Sequence, residues 1–153
     1  MNSRNTIRSV RWGLSVMLSV MLAPQPHHQL LGQVPDQDKT NGSETISITG
    51  VPHSGQGGPE ATEPISGLAK GVKVTKFKVV VYAYAGGTWW VQPTVAAPLT
   101  DIDNAGNWET DTHLGSSYAA LLVKQSFKPA ATLSALPTAH GEIIAVVRVA
   151  GTK

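Results

Sequence analysis

The residues that could carry out acid–base catalysis are histidines, with carboxylates and a serine near one of them: His53, His113 and His140, then Glu109, Asp111 and Ser116. Nucleophilic catalysis needs a hydroxyl or thiol beside a base, and such pairs often occur in recognisable motifs. Neither Gly-x-Ser-x-Gly nor His-Glu-x-x-His occurs in this sequence. We therefore expect no catalytic residues and no enzyme, with a small hydrolase as an alternative if the histidines meet in space.

Two short segments contain residue types that bind metal ions. Asp101–Gly106 resembles the start of a calcium-binding loop, but Ala105 occupies a ligand position and Thr112 stands where a bidentate Glu is needed. A turn is the better interpretation of this segment. His27 and His28 are adjacent and lack a third ligand at a fixed spacing. The sequence therefore predicts neither a metal site nor another cofactor.

Aromatic side chains are the strongest candidates for ligand binding. Trp89, Tyr84 and Tyr82 fall on one face of a predicted hairpin and could form a half-exposed strip. Such a strip can stack against the apolar face of a sugar ring. The alternative is that these residues pack beneath a loop, because aromatic residues favour strands in any case. We predict Trp89, Tyr84 and Tyr82 as the ligand-binding residues.

The element that positions these aromatics is a β-hairpin. Two runs rich in β-branched and aromatic residues flank Gly86-Gly87, a pair that can adopt the positive φ angles of a two-residue turn. Tyr84 then lies opposite Trp89, and Ala83 lies opposite Trp90. Trp90 joins an all-apolar row and is predicted to be a core residue. A slip of one residue would exchange the two faces.

The remaining chain also predicts strands rather than helices. Turn signals rich in Gly, Pro and Asn separate the candidate strands at 46–49, 65–69, 75–85, 88–92, 100–103, 108–110, 118–124 and 142–149. Short strands at such spacing are typical of sandwiches and barrels. We predict an all-β fold, an immunoglobulin-like antiparallel β-sandwich of about seven strands.

The N-terminal 23 residues have the pattern of a targeting segment. Basic residues within the first eleven positions precede an uncharged apolar run that ends at Ala23. This run is shorter than the roughly 20 residues of an ordinary membrane span. We expect residues 1–23 to be a signal peptide or, if uncleaved, an N-terminal anchor and the one membrane contact. Residues 24–43 are predicted to be a flexible linker and residues 44–153 the folded domain, exported to the periplasm, cell surface or medium.

The net charge of +2 belongs largely to the targeting segment. It contains Arg4, Arg8 and Arg11 and no acidic residue, whereas the whole chain has twelve basic and ten acidic residues. The rest of the chain is therefore slightly acidic and lacks the basic footprint of a nucleic-acid-binding protein. The absence of cysteine excludes disulfides and thiol chemistry.

Five stretches carry a resemblance to a known family: Val79–Ala83, Trp89–Pro93, Gly106–Trp108, Thr112–Gly115 and Tyr118–Val123. They resemble a small immunoglobulin-like β module of exported bacterial proteins, some of which are appended to carbohydrate-active enzymes. The resemblance implies a fold and export, and it includes no catalytic signature. We expect a non-catalytic module that binds carbohydrate or cell-envelope material through the aromatic strip. The alternative is a structural or protein–protein interaction domain that meets an envelope protein.

Overall fold

The two-residue turn that the sequence predicts at Gly86-Gly87 is present. In the computed structural model, which describes residues 44–153, φ is 60° at Gly86 and 82° at Gly87. Glycine adopts this left-handed conformation without the steric penalty of a Cβ atom. The turn joins two of the eight strands: β1 (Thr45–Gly50), β2 (Thr62–Lys70), β3 (Phe77–Ala85), β4 (Thr88–Gln92), β5 (Asn107–His113), β6 (Ser117–Lys124), β7 (Thr132–Leu133) and β8 (Ile143–Ala150).

The described residues correspond to the predicted folded domain and belong to one compact unit. The predicted signal segment at 1–23 and the predicted linker at 24–43 lie outside them. Within 44–153 there is no helix that is long and apolar enough to cross a membrane.

The strands form two antiparallel sheets, which confirms the predicted β-sandwich. One sheet has the order β1-β2-β5, and the other has the order β7-β4-β3-β6-β8. Strand order β8-β6-β3-β4 corresponds to the G-F-C-C′ arrangement of immunoglobulin-like domains, facing an A-B-E sheet. The segment after β1 also makes a parallel bridge, from His53 to Thr152 just beyond β8. The two sheets are thereby linked at one edge of the sandwich.

Residues 100–103, predicted as a strand, belong to none of the eight. Thr100 alone pairs with β3, through two backbone hydrogen bonds to Val79. Asp103 instead closes a turn, because its Oδ1 accepts hydrogen bonds of 2.8 Å from the backbone N–H groups of Ala105 and Asn107. β5 begins at Asn107 and pairs with β2 rather than forming a local hairpin.

The first hydrophobic core lies between the two sheets. The buried side chains that fill it come mainly from the inward faces of β1, β2, β3, β5 and β6 and include Ile46, Ile65, Val79, Val81, Trp108, Tyr118, Ala120 and Leu122. This alternation of inward and outward residues is the ordinary consequence of the pleat. Trp108 lies opposite Gly67 in the β2–β5 register, and the missing side chain of Gly67 leaves room for the indole ring.

A second core covers the other face of the five-stranded sheet. Its buried members are Val80, Tyr82, Trp89, Val91, Ala119, Leu121 and Val123, and the residues packed on them include Leu99, Phe127, Leu133 and Leu136. The segment between β6 and β8 thus acts as a lid over this face. β3 and β6 are consequently buried on both faces over most of their length.

This second core corrects the predicted exposure of the paired tryptophans. The predicted register is right, since Tyr84 pairs with Trp89 and Ala83 with Trp90. Trp89, however, is only 4% exposed, whereas Trp90 is 50% exposed. Trp89 is covered by the lid. Trp90 points to the opposite face of β4, which lies next to the edge strand β7, and the three-stranded sheet covers only half of its side chain. The prediction of Trp90 as a core residue is therefore wrong.

Candidate ligand-binding groove

The predicted aromatic strip is assembled but not exposed. The rings of Tyr84 and Trp89 are in contact, with centroids 5.0 Å apart and planes inclined by 49°. Tyr82 is 1% exposed and donates a hydrogen bond of 2.9 Å to the carbonyl of Ala130 in the lid. Burial raises the pKa of Tyr82, and the hydrogen bond to Ala130 lowers it by a smaller amount. The prediction that Trp89, Tyr84 and Tyr82 form an exposed strip is thus wrong, because Trp89 and Tyr82 are buried in the second core.

A groove at the hairpin end of the sandwich contains Trp90 instead. It has a volume of about 650 Å³ and is formed by four parts of the chain: the loop Gln56–Pro59, the hairpin end, the segment Pro93–Val95 and the end of β5 at His113-Leu114. This volume falls within the roughly 300–1,000 Å³ of small-molecule sites. None of the residues that line it is Asp, Glu, Lys or Arg.

The lining of the groove includes an unusual concentration of exposed apolar surface. Trp90 is 50% exposed and Val95 is 67% exposed, and they are the exposed large hydrophobic side chains of residues 44–153. Both line this groove. Exposed apolar side chains scattered singly need no explanation, whereas their convergence on one concavity is typical of a binding site.

Hydrogen bonding fixes the orientation of the Trp90 indole. Its Nε1 donates to the carbonyl oxygen of Ala85 at 3.1 Å, across the hairpin turn. The one polar atom of the side chain is therefore already engaged. The exposed half of the ring offers aromatic surface and no further hydrogen-bond donor.

Gln92 connects the two strands that meet beneath the groove. It is only 3% exposed, and its side-chain amide donates from Nε2 to the carbonyl oxygen of Trp90 at 3.1 Å. Its Oε1 accepts a hydrogen bond of 2.9 Å from the backbone N–H of His113. The same oxygen lies 2.9 Å from Nδ1 of the His113 ring. Gln92 thus joins β4 of one sheet to β5 of the other.

The three predicted histidines have separate local partners. His113 contacts Gln92, and His53 contacts Glu63, with 3.0 Å between Nδ1 and Oε1. The backbone N–H of His53 also donates to Glu63 at 2.9 Å, and this hydrogen bond is the largest cause of a lowered pKa at that carboxyl. His140 makes a bridge to Ile143. Among the described residues, no hydroxyl is hydrogen-bonded to a histidine ring.

A second concavity beside Trp108 is the more acidic one. Its volume is about 530 Å³, and its lining includes Asp101, Asp103 and Glu109. Asp101 is paired with Lys78. The carboxylate of Asp103 accepts hydrogen bonds within its turn, and those from Asn107 lower its pKa. No group of three or more His, Cys, Asp or Glu residues within 44–153 is placed to hold a metal ion.

The groove was not predicted as a site from the sequence. The sequence predicts Trp90 as a core residue and His113 only as a candidate catalytic base. The signal that could have indicated the burial of Trp89 is the continuous apolar run of Val79–Ala83 in β3 and of Tyr118–Val123 in β6, which is typical of strands buried on both faces. Comparison with family models, curated proteins and solved structures finds no match for this chain.

Proposed function

We propose that this protein is an exported, non-catalytic module that binds carbohydrate or cell-envelope material in the groove at Trp90. The observation that carries the proposal is the indole of Trp90, half exposed and held in place by its hydrogen bond to Ala85. A rigid aromatic face loses little conformational freedom on binding, which favours affinity. The ligand-binding role that the sequence predicts for Trp89, Tyr84 and Tyr82 passes to their neighbour in this proposal.

The composition of the groove supports binding rather than hydrolysis. A small hydrolase would need His113 beside a carboxylate or an activated hydroxyl. His113 lines the groove, but none of the lining residues is a carboxylate. The ring nitrogen of His113 that has a partner contacts the amide oxygen of Gln92, which cannot act as a base for it.

A protein ligand is the second candidate for the same surface. Trp90 and Val95 together present apolar surface, and tryptophan is enriched among residues that dominate protein interfaces. In that case the partner would be a protein of the cell envelope, and the groove would accept one of its side chains.

Binding to glycans distinguishes these candidates. The full chain is tested against a glycan array and insoluble polysaccharides, alongside Trp90→Ala, Trp90→Phe and Gln125→Ala. Truncating a central contact aromatic is expected to cost about 2 kcal/mol or more, which is roughly a 30-fold loss of affinity. Phe at this position retains a ring and should retain part of the binding. Gln125 is exposed and follows the other end of β6, so its variant serves as the control.

The results of these binding experiments distinguish a glycan ligand from a protein ligand. Glycan binding that survives Trp90→Ala would remove the groove from the proposal. No binding of any glycan by the wild-type chain, together with capture of a defined envelope protein that Trp90→Ala abolishes, would favour the protein ligand.

Export is the second part of the proposal and rests on the sequence of residues 1–23. Cells that express the full chain are fractionated, and the mass of the mature N-terminus is measured. We expect the protein outside the cytoplasm, with residues 1–23 removed or retained as an anchor. A full-length product confined to the cytosol would refute export.

A further inference from the structure

The buried amide of Gln92 has a defined orientation. Its Nε2 lies 3.1 Å from the Trp90 carbonyl, which can only accept a hydrogen bond. Its Oε1 lies 2.9 Å from the backbone N–H of His113, which can only donate. Exchanging the oxygen and nitrogen of the amide would place two acceptors together and two donors together. The two backbone groups therefore settle the orientation of the amide.

This orientation determines where the His113 ring carries its proton. Nδ1 lies 2.9 Å from Oε1 of Gln92, an atom that can only accept. Nδ1 must therefore be the protonated nitrogen. In a neutral imidazole the other nitrogen, Nε2, then bears a lone pair and acts as an acceptor. Nε2 is directed away from the Gln92 amide, because the two ring nitrogens point in divergent directions, and His113 lines the groove.

The groove thus offers two complementary features to a ligand. Trp90 provides an aromatic face whose N–H is already engaged, and His113 provides a hydrogen-bond acceptor. No charged side chain lines the groove, so nothing in it would neutralise a charged ligand. A matching ligand has an apolar face, a hydrogen-bond donor at its edge and no charge.

We propose that the groove binds a neutral saccharide, with a pyranose ring stacked on Trp90 and one of its hydroxyl groups donating to Nε2 of His113. This inference rests on the proposed function and names the ligand class and the polar contact of that site. Trp90 and His113 contact the sugar. Gln92, which is 3% exposed, is a positioning residue that holds the tautomer of His113.

The tautomer is tested without any ligand. Nitrogen-15 NMR distinguishes a protonated ring nitrogen from an unprotonated one, and the His113 signals are assigned by their loss in His113→Ala. We expect protonation at Nδ1 in the wild type. Gln92→Leu should lose this preference, because no acceptor then lies beside Nδ1. A wild-type ring protonated at Nε2 would overturn the inference and leave the role of Trp90 intact.

The saccharide contact is tested by calorimetry on the full chain. The probes are neutral oligosaccharides of glucose, galactose, mannose and N-acetylglucosamine, together with uronic-acid oligosaccharides of similar length. We expect a neutral oligosaccharide to bind best. One single-deoxy analogue of it should bind about tenfold more weakly to the wild type, as expected for one lost hydrogen bond. The His113→Ala variant should bind this analogue as well as it binds the parent oligosaccharide, because the variant lacks the contact that the missing hydroxyl would make.

Each result has a defined meaning. Preference for the uronic-acid probes, or equal binding of every single-deoxy analogue by the wild type, would overturn the saccharide contact. Failure of all probes to bind would do the same. If Trp90→Ala binds as well as the wild type while the tautomer is as inferred, the proposed site fails and the role of Gln92 stands. The deoxy series in the wild type needs no substitution, so a variant that fails to fold does not obscure the answer.

Discussion

Replacing Trp89 by Ala should destabilise the fold more than replacing Trp90, although the two residues are adjacent. Trp89 is 4% exposed and packs within the second core against Tyr84, with the guanidinium of Arg148 5.2 Å from its ring centroid. Burial of about 200 Å² at about 25 cal/mol per Å² amounts to about 5 kcal/mol. Measured truncations of buried large aromatics cost about 3–5 kcal/mol. We expect Trp89→Ala to lower the free energy of unfolding by that amount.

The same estimate for Trp90 gives a smaller value. Half of this side chain is already in water, so about half of the transfer free energy is lost on truncation. The space that the ring vacates opens into the groove, so solvent fills it and no sealed cavity remains. We expect Trp90→Ala to cost about 2–3 kcal/mol, because half of about 5 kcal/mol is about 2.5 kcal/mol and the exposed hydrogen bond from Nε1 to Ala85 adds little.

Urea unfolding monitored by circular dichroism measures both values, because removing a fluorophore does not affect that signal. Trp89→Phe and Trp90→Phe are the matched controls, and each should recover part of the loss of its Ala counterpart. Equal slopes against urea show that the unfolded states are comparable. A cost for Trp90→Ala as large as that for Trp89→Ala would refute the assignment of the two faces. So would a cost for Trp89→Ala below about 1 kcal/mol.

Three further substitutions test the packing and the hydrogen-bonded carboxylate of Glu63. Tyr82→Phe removes the hydrogen bond to Ala130 and should cost about 0.5–1.5 kcal/mol in urea unfolding, with an unchanged fold by circular dichroism. Gly67→Ala places a Cβ against the Ser47 carbonyl and the Trp108 ring and should cost about 1–3 kcal/mol or abolish folding, as judged from the thermal midpoint. The pKa of Glu63 is lowered in the folded state from its ordinary value of 4.5, so its contribution to stability is present above that pH and is lost as the pH falls through the folded pKa. The free energy of unfolding, measured from pH 7 to pH 3, should accordingly fall less steeply for Glu63→Gln than for the wild type.

The hairpin could be predicted from sequence because its determinants are local. Gly86-Gly87 accepts the positive φ angles of the turn, and the turn then sets which residues lie opposite each other. The pairing of Tyr84 with Trp89 follows directly from that register. The β2 strand also appeared where the sequence places it, extended at both ends.

The exposure of the two faces could not be predicted in the same way, because it depends on contacts between distant segments. Tyr82 is covered by residues about 50 positions later in the chain, at Ala130 and in the rest of the lid. This lid is irregular and contains only the two-residue strand β7, so it shows no periodic pattern. The groove has the same origin, since its walls come from three separated parts of the chain, residues 56–59, 83–95 and 113–114.

The adjacency of Trp89 and Trp90 has a consequence for how this protein can vary. Successive residues of a strand point to opposite faces, so one tryptophan closes the second core and the other borders the groove. The backbone carbonyl of Trp90 also receives the hydrogen bond that orients Gln92. Because that contact uses backbone atoms, the side chain at position 90 can change without altering it. Ligand preference at this position can therefore change while the amide that positions His113 is retained, whereas a change at Trp89 acts first on stability.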